Sequence, residues 1–79
     1  MKILFFGKLA DSFGPAIDLP VSEDCSVSEL RERLAKEYPD AATSLRQRVR
    51  ACVGESFVPD SFIVRPGDRV EFIPPVSGG

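Results

Sequence analysis

The 79-residue sequence contains no histidine, no tryptophan and only two cysteines. Histidine is the usual general base near neutral pH and the commonest metal ligand, so its absence excludes Ser-His and Cys-His catalytic sites built from this chain alone. Cys25 and Cys52 are too few and too far apart to form a zinc site by themselves. We therefore expect no metal site, and we expect both thiols to be reduced, small, buried apolar side chains.

The sequence also lacks a cationic excess and a long apolar run. Its net charge of −2 and its pI near 5.0 argue against nucleic acid as the main partner, because phosphate binding requires a clustered cationic surface. The apolar stretch Ile3–Phe6 at the start has only four residues, far short of a membrane span or a signal-peptide core. The composition thus predicts a cytoplasmic protein without a membrane or nucleic-acid partner.

What the sequence does contain is a regular pattern of apolar and polar residues. It predicts the order strand, strand, helix, strand, short strand, strand. The predicted strands are Ile3–Phe6, Ile17–Val21, Val49–Val53, Phe57–Val58 and Arg69–Ile73. Pro20 assigns the second strand to a sheet edge, because proline has no amide to donate to a central ladder.

One main helix is predicted between the two strand pairs. Residues 26–29 fit a capping box, in which the Ser26 side chain bonds the amide of Glu29 and the Glu29 side chain reaches back. Apolar residues then recur at spacings of three and four as far as Pro39, which ends the helix. These residues are Val27, Leu30, Leu34 and Tyr38.

This order of elements predicts an α+β domain over residues 1–73. Two hairpins flank the helix, and together they form a mixed sheet of four to five strands. The first and last strands are expected to pair centrally and in parallel. Because one helix covers only one face of such a sheet, the other face is expected to be open to water.

The alternation of side chains assigns residues of the terminal strands to these two faces. Ile3 and Phe5 are predicted to point into the core. Leu4 and Phe6 fall on the open face, and Ile73 of the last strand falls there too. An exposed apolar patch beside the end of the chain is typical of a docking surface.

Residues 74–79 are predicted to form an extended tail. Pro74 and Pro75 end the last strand and begin a stiff, extended segment, while Gly78 and Gly79 leave the tip without side chains. Six extended residues reach roughly 20 Å, enough to carry the carboxylate of Gly79 into a cleft on another protein. We interpret that carboxylate as the main candidate for chemistry.

Three segments carry a resemblance to a known family: the start Leu4-Phe5-Phe6-Gly7, the helix from Val27 to Tyr38 and, above all, the ending Pro74-Pro75-Val76-Ser77-Gly78-Gly79. They resemble the small subunit of molybdopterin synthase, a ubiquitin-like family with the β-grasp fold and a flexible C-terminal Gly-Gly tail. One departure is Gly54, because the family commonly has asparagine in this turn before the fourth strand. Glycine tolerates the same backbone angles.

The resemblance implies a sulfur-donating subunit that is not an enzyme by itself. An activating enzyme uses ATP and magnesium to convert the Gly79 carboxylate into an acyl adenylate, and a sulfur donor converts this into a thiocarboxylate. Residues 74–78 are then inserted in the active site of the large subunit. There Gly79 donates its sulfur to cyclic pyranopterin monophosphate, forming the dithiolene of molybdopterin during molybdenum cofactor biosynthesis. No permanently bound cofactor is implied.

The same resemblance implies a partner-binding patch formed by Phe6, Phe57 and Ile73. This patch would meet both the activating enzyme and the large subunit, and the complex would be a heterotetramer of two small and two large subunits. The assignment of faces selects Phe6 and Ile73 independently, whereas Phe57 rests on the resemblance alone.

Other functions remain open at this point. A related ubiquitin-like sulfur carrier would serve thiamine synthesis or tRNA thiolation, and a protein modifier would be conjugated to lysine through Gly79. A plain interaction domain would use the exposed patch without tail chemistry. A hydrolase would use Glu23 and Asp24 as paired carboxylates, although adjacent acidic residues in a loop are usually only solvated.

Overall fold

The computed structural model describes residues 1–42, 45 and 49–75. Its strands are β1 (Lys2–Phe5), β2 (Ala16–Asp18), β3 (Cys25–Ser26), β4 (Arg50–Val53), β5 (Ser56–Val58), β6 (Ile63–Val64) and β7 (Arg69–Ile73). Its helices are α1 (Lys8–Phe13), α2 (Val27–Glu37) and a 3-10 helix, Pro39–Ala41. The predicted tail is described only at Pro74 and Pro75, since Val76–Gly79 lie outside the described residues.

Five of the strands form one mixed sheet in the order β2-β1-β7-β4-β5. The terminal strands β1 and β7 are parallel neighbours, with Ile3 opposite Val70, while β1 with β2 and β4 with β5 are antiparallel hairpins. The predicted hairpins and the central parallel pair are therefore confirmed. Gly54 (φ +58°) and Glu55 (φ +69°) both adopt positive φ in the β4-β5 turn, as expected for a tight hairpin.

Helix α2 begins at the predicted capping box. The Glu29 amide donates to the Ser26 Oγ at 3.1 Å, and the Ser26 amide donates to the Glu29 carboxylate at 3.0 Å. These bonds satisfy amides that the first turn of a helix would otherwise leave unpaired. The helix ends at Glu37, before Pro39, and buries Val27, Leu30 and Leu34 against the sheet, as their spacing predicted.

A short helix, α1, replaces the turn that the sequence pattern indicated between the first two strands. Gly7 and Gly14 flank it, and it buries Leu9 and Phe13, one helical turn apart. The Phe13 ring stacks on Phe5 with centroids 4.4 Å apart. This burial stabilises a segment too short to be a stable helix in isolation.

One strand prediction needs correction, and one pair of short strands was missed. Strand β2 ends at Asp18 rather than continuing to Val21, although it does lie at the sheet edge, and Leu19 beyond it is buried. The pair β3 and β6 was not predicted at all. Each of these strands has two residues, with Cys25 opposite Val64, which is too short for alternation to be recognised.

The core lies between the sheet and its covering helices, and no helix among the described residues covers the opposite face of the main sheet. Aromatic and branched aliphatic side chains fill this layer, and the inward residues of β1 and β7 alternate with more exposed ones, as predicted. The buried cluster is Ile3, Phe5, Leu9, Phe13, Leu19, Val27, Leu30, Leu34, Leu45, Val49, Ala51, Val64, Val70 and Phe72.

Candidate functional site

The uncovered side of the five-stranded sheet, which we call the outer face, carries the features of a docking surface. Strand register aligns Leu4, Glu71, Cys52 and Phe57 in one row across β1, β7, β4 and β5. The next row places Arg50 opposite Ile73. The outer face therefore combines apolar side chains with a few charges, close to the end of β7.

The three residues of the predicted patch, which we call the docking patch, occupy this face or its rim. Phe6 follows β1 with the same parity as Leu4, and its amide continues the ladder by donating to the Phe72 carbonyl at 3.3 Å. Phe6 is 44% exposed, Phe57 is 50% exposed, and Ile73 is half-buried. Partner binding by these residues stays a prediction, but their exposure makes them available for it.

The base of the tail is held on two sides. Ile73 is the last residue of β7, a central strand that pairs with both β1 and β4. Pro74 then packs over Gly7, where an added Cβ would lie 2.9 Å from the Pro74 Cγ. Gly7 also adopts φ 59°, ψ −138°, a backbone conformation that other residues strongly disfavour. Gly7 therefore provides the space and the backbone geometry on which the tail begins.

Charges on the outer face are mixed. Lys2 lies in register between Asp18 and Arg69, whereas Arg50 and Glu71 lie among the apolar residues. The Arg50 guanidinium carbon is 3.8 Å from the centroid of the Phe57 ring, within the range of a cation-π interaction. A positive group thus lies over the Phe57 ring, next to Ile73 of the docking patch.

The acidic pair Glu23-Asp24 and the two cysteines are the other side chains that the sequence offered for chemistry. Glu23 and Asp24 are exposed in the loop between β2 and β3. Burial, reinforced by the Glu29 carboxylate, raises the pKa of the Cys25 thiol, so this cysteine is not an activated nucleophile. Cys52 is buried, as predicted, whereas Cys25 is only partly buried, so the prediction that both cysteines are buried is wrong for Cys25.

The part of the chain that the structure describes contains neither a group of metal-binding side chains nor a helix that could span a membrane. Within residues 1–42, 45 and 49–75, no three histidine, cysteine, aspartate or glutamate side chains are grouped so that they could hold a metal ion. Among the helices of these ranges, none has the length and apolar character needed to cross a membrane.

Four residues of the exposed surface and of the base of the tail were not identified as functional candidates from the sequence. In the sequence, Gly7 stands out only as part of a motif, and Arg50 is one of three alternating arginines, of which Arg46 and Arg48 lie outside the described residues. Phe62 and Ile63 form a second exposed apolar pair, 38% and 55% exposed, at β6. The run Phe62-Ile63-Val64 between polar residues was the signal that could have indicated them.

Comparison with known proteins gives a consistent result over the whole chain. The sequence profile of the ThiS family matches residues 3–79. The molybdopterin synthase sulfur carrier subunit of Mycobacterium tuberculosis is 31% identical to this chain, and the match covers 100% of the chain and 96% of that protein. The protein of the same name from Dictyostelium discoideum is 35% identical, with 99% of this chain and 94% of that protein covered.

Solved structures show the same fold. The crystal structure of SAMP1 from Haloferax volcanii superposes with a TM-score of 0.83 at 19% identity, over 99% of this chain and 97% of that one. At this level of identity the similarity concerns the fold alone. Together with the mixed sheet and its covering helix, it confirms the ubiquitin-like β-grasp fold that the resemblance implied.

Proposed function

The chain belongs to the ThiS family, and we propose that it acts as the sulfur-carrier subunit of a molybdopterin synthase. Relatives that carry this name match essentially its full length, which supports the assignment. The structural observation that carries it is the exit of the tail: central strand β7 ends at Ile73, beside Phe6, and Pro74 continues from there. A terminal glycine that follows this base would be brought to any protein that binds the docking patch.

In this proposal the reactive group is the carboxylate of Gly79. An activating enzyme attaches AMP from ATP to that carboxylate with magnesium and releases pyrophosphate. A sulfur donor then displaces AMP, leaving a thiocarboxylate. Adenylation is required because a carboxylate is a poor electrophile until one oxygen becomes part of a good leaving group. The thiocarboxylate is anionic near neutral pH, so it is a nucleophile without a neighbouring general base.

The division of labour follows from what this chain lacks. It has no histidine, and the acidic pair Glu23 and Asp24 is exposed in a loop. We therefore assign acid-base catalysis to the large subunit and adenylation to the activating enzyme, while this chain binds both through the docking patch. The large subunit would transfer two sulfurs to cyclic pyranopterin monophosphate, and a heterotetramer of two small and two large subunits is the expected assembly.

The first test is the chemistry of Gly79. The protein is incubated with an activating enzyme, ATP, magnesium and a sulfur source, and its intact mass is measured. We expect the increase that corresponds to replacement of one oxygen by sulfur. Deletion of Gly79 should abolish the increase. Gly67→Ala is a matched control, because Gly67 lies in a remote turn where an added Cβ meets no atom within 4 Å.

The second step assigns the pathway. The thiocarboxylated chain is mixed with the large synthase subunit and cyclic pyranopterin monophosphate, and dithiolene formation is measured. Product formation supports the proposal. If Gly79 gains sulfur but no dithiolene forms, the chain is a carrier for another pathway, such as thiamine synthesis or tRNA thiolation. If Gly79 instead becomes linked to lysine, the chain is a protein modifier.

A plain interaction domain makes the opposite prediction for the tail. Removing Gly79 would leave its biological activity unchanged, because only the docking patch would matter. Ile73→Asp tests the docking patch itself, which both hypotheses use, so only the removal of Gly79 distinguishes them. Under the carrier proposal it weakens binding to the large subunit while the Gly79 carboxylate itself remains chemically intact.

A further inference from the structure

Arg50 occupies a special position on the outer face. It is the first residue of β4 and lies opposite Ile73, the residue from which the tail departs. Its guanidinium carbon lies 3.8 Å from the centroid of the Phe57 ring. Phe57 of β5 is in register with Cys52, which belongs to β4 like Arg50. A fixed positive charge therefore lies between two members of the docking patch.

The hydrogen-bond donors of Arg50 have no acceptor in the described part of the chain. The ion pair found there joins Arg31 to Asp60, and no hydrogen bond of the Arg50 side chain is present among these residues. Glu71 lies on the same face, diagonal to Arg50 through the Cys52-Glu71 pair, but it is not within ion-pair distance. The guanidinium carbon lies over the Phe57 ring, and the N–H groups at the edge of a guanidinium can donate to an acceptor on another molecule.

Any protein that covers Phe57 and Ile73 must also cover Arg50. Burying an unpaired charge is costly, whereas a carboxylate placed at the guanidinium edge accepts two parallel hydrogen bonds. We propose that Arg50 is a specificity residue of the docking patch, and that the large synthase subunit presents an aspartate or glutamate to it. This inference rests on the proposed function, because it takes the large subunit as the occupant of the outer face.

The stacking on Phe57 makes this contact selective. A guanidinium already held by an aromatic ring loses less conformational freedom on binding than a free side chain. A surface that is apolar but has no carboxylate at this place would bury Arg50 without a partner, so it would be rejected. Shape and hydrophobicity bring a partner to the docking patch, and Arg50 distinguishes the correct one.

The test measures binding of thiocarboxylated chain to the large synthase subunit from the same organism. Arg50→Leu should weaken binding by roughly tenfold or more, since it leaves the partner's carboxylate unpaired. Arg50→Glu should weaken it further, by roughly a hundredfold or more, because two carboxylates then face each other. Lys36→Glu is the matched control. It makes the same change of charge at an exposed position of α2, on the covered side of the sheet, and should leave affinity within about twofold.

Salt dependence and rescue identify the mechanism. Affinity of the wild type should fall with ionic strength more steeply than that of Arg50→Leu, and an acid-to-lysine substitution on the large subunit should restore binding to Arg50→Glu. Unchanged thermal midpoints would show that the variants are folded. If wild type binds but the Arg50 variants bind equally well with the same salt dependence, this inference is wrong while the proposed function stands. If the wild type fails to bind the large subunit at all, the proposed function fails first.

Discussion

The side chain of Arg31 connects helix α2 to the segment before β4, and replacing it tests how much this connection contributes to the stability of the domain. Its Nη1 and Nη2 donate to the carbonyl oxygens of Leu45 and Val49 at 3.0 and 2.6 Å. Its Nε donates to Asp60 at 3.0 Å, and its guanidinium lies 5.2 Å from the centroid of the Phe72 ring. Arg31 thus fastens the helix to the segment that leads into β4.

We expect Arg31→Met to destabilise the domain by about 2–4 kcal/mol. A hydrogen bond to a charged donor contributes about 1.5–3 kcal/mol, and the two carbonyls would lose their donor while water compensates in part. The methionine keeps the apolar stem of the side chain. For a domain of this size the loss corresponds to a fall in melting temperature of roughly 10–25 °C, measured by circular dichroism and checked by urea unfolding.

Asp60→Asn separates the two kinds of contact that Arg31 makes. The Asp60 side chain is 60% exposed, and that of Arg31 is 19% exposed. An ion pair with one exposed member contributes only about 0.2–1 kcal/mol. The control should therefore cost far less than Arg31→Met. If the two variants lost equal stability, the carbonyl contacts would contribute nothing measurable, and the assignment of Arg31 as the link between α2 and β4 would be refuted.

Three further changes test the docking patch, the base of the tail and the helix cap. Phe6→Asp should weaken binding to the large subunit by roughly 10–100-fold, since an apolar side chain of this size contributes about 1.5–3 kcal/mol when buried, and loss of the folded circular-dichroism signal would instead place Phe6 in the core. Gly7→Val should cost about 1–3 kcal/mol in urea unfolding because of its positive φ and its contact with Pro74, and Pro74→Ala in the same chain should recover the steric part. Hydrogen bonds from Ser26 lower the pKa of Glu29 in the folded state. The stabilisation of the fold by the ionised Glu29 is therefore complete above about pH 4.3 and is lost as pH falls through the lower, folded pKa. Glu29→Gln should make the acid dependence of the urea midpoint shallower, and an unchanged slope would contradict this.

The parts of the fold that sequence predicted well are those where a local rule and the tertiary structure agree. Ser26 and Glu29 form their capping box with neighbours three residues away, so tertiary contacts are not needed to recognise it. The alternation around Ile3 and Phe72 is decided by a core on one side of a sheet, which makes the face of each residue readable from its parity. These two signals were sufficient for the helix, the central strands and the exposed position of Phe6.

The parts that were missed depend on contacts between distant residues. Helix α1 is too short for a periodic pattern, and it is stabilised by Phe13 stacking on Phe5. The Arg50-Phe57 stack requires the β4-β5 register, which composition does not reveal. The contact between Gly7 and Pro74 joins residues at opposite ends of the chain. Gly7 near the start of the chain therefore positions Pro74 near its end, a relation that only the three-dimensional structure reveals.

In the proposed function, these contacts give the domain a way to contribute to the rate of sulfur transfer. Strand β7 is central and hydrogen-bonded on both sides, so Ile73 is fixed relative to the docking patch, and Gly7 fixes Pro74 next to it. In the proposed function, a partner that covers that patch receives the tail from a point whose position is already determined. Holding a reacting group near its target makes the step effectively intramolecular. We therefore expect loosening of this base, as in Gly7→Val, to slow sulfur transfer more than it weakens binding, and equal effects on both would show that the base only supports the fold.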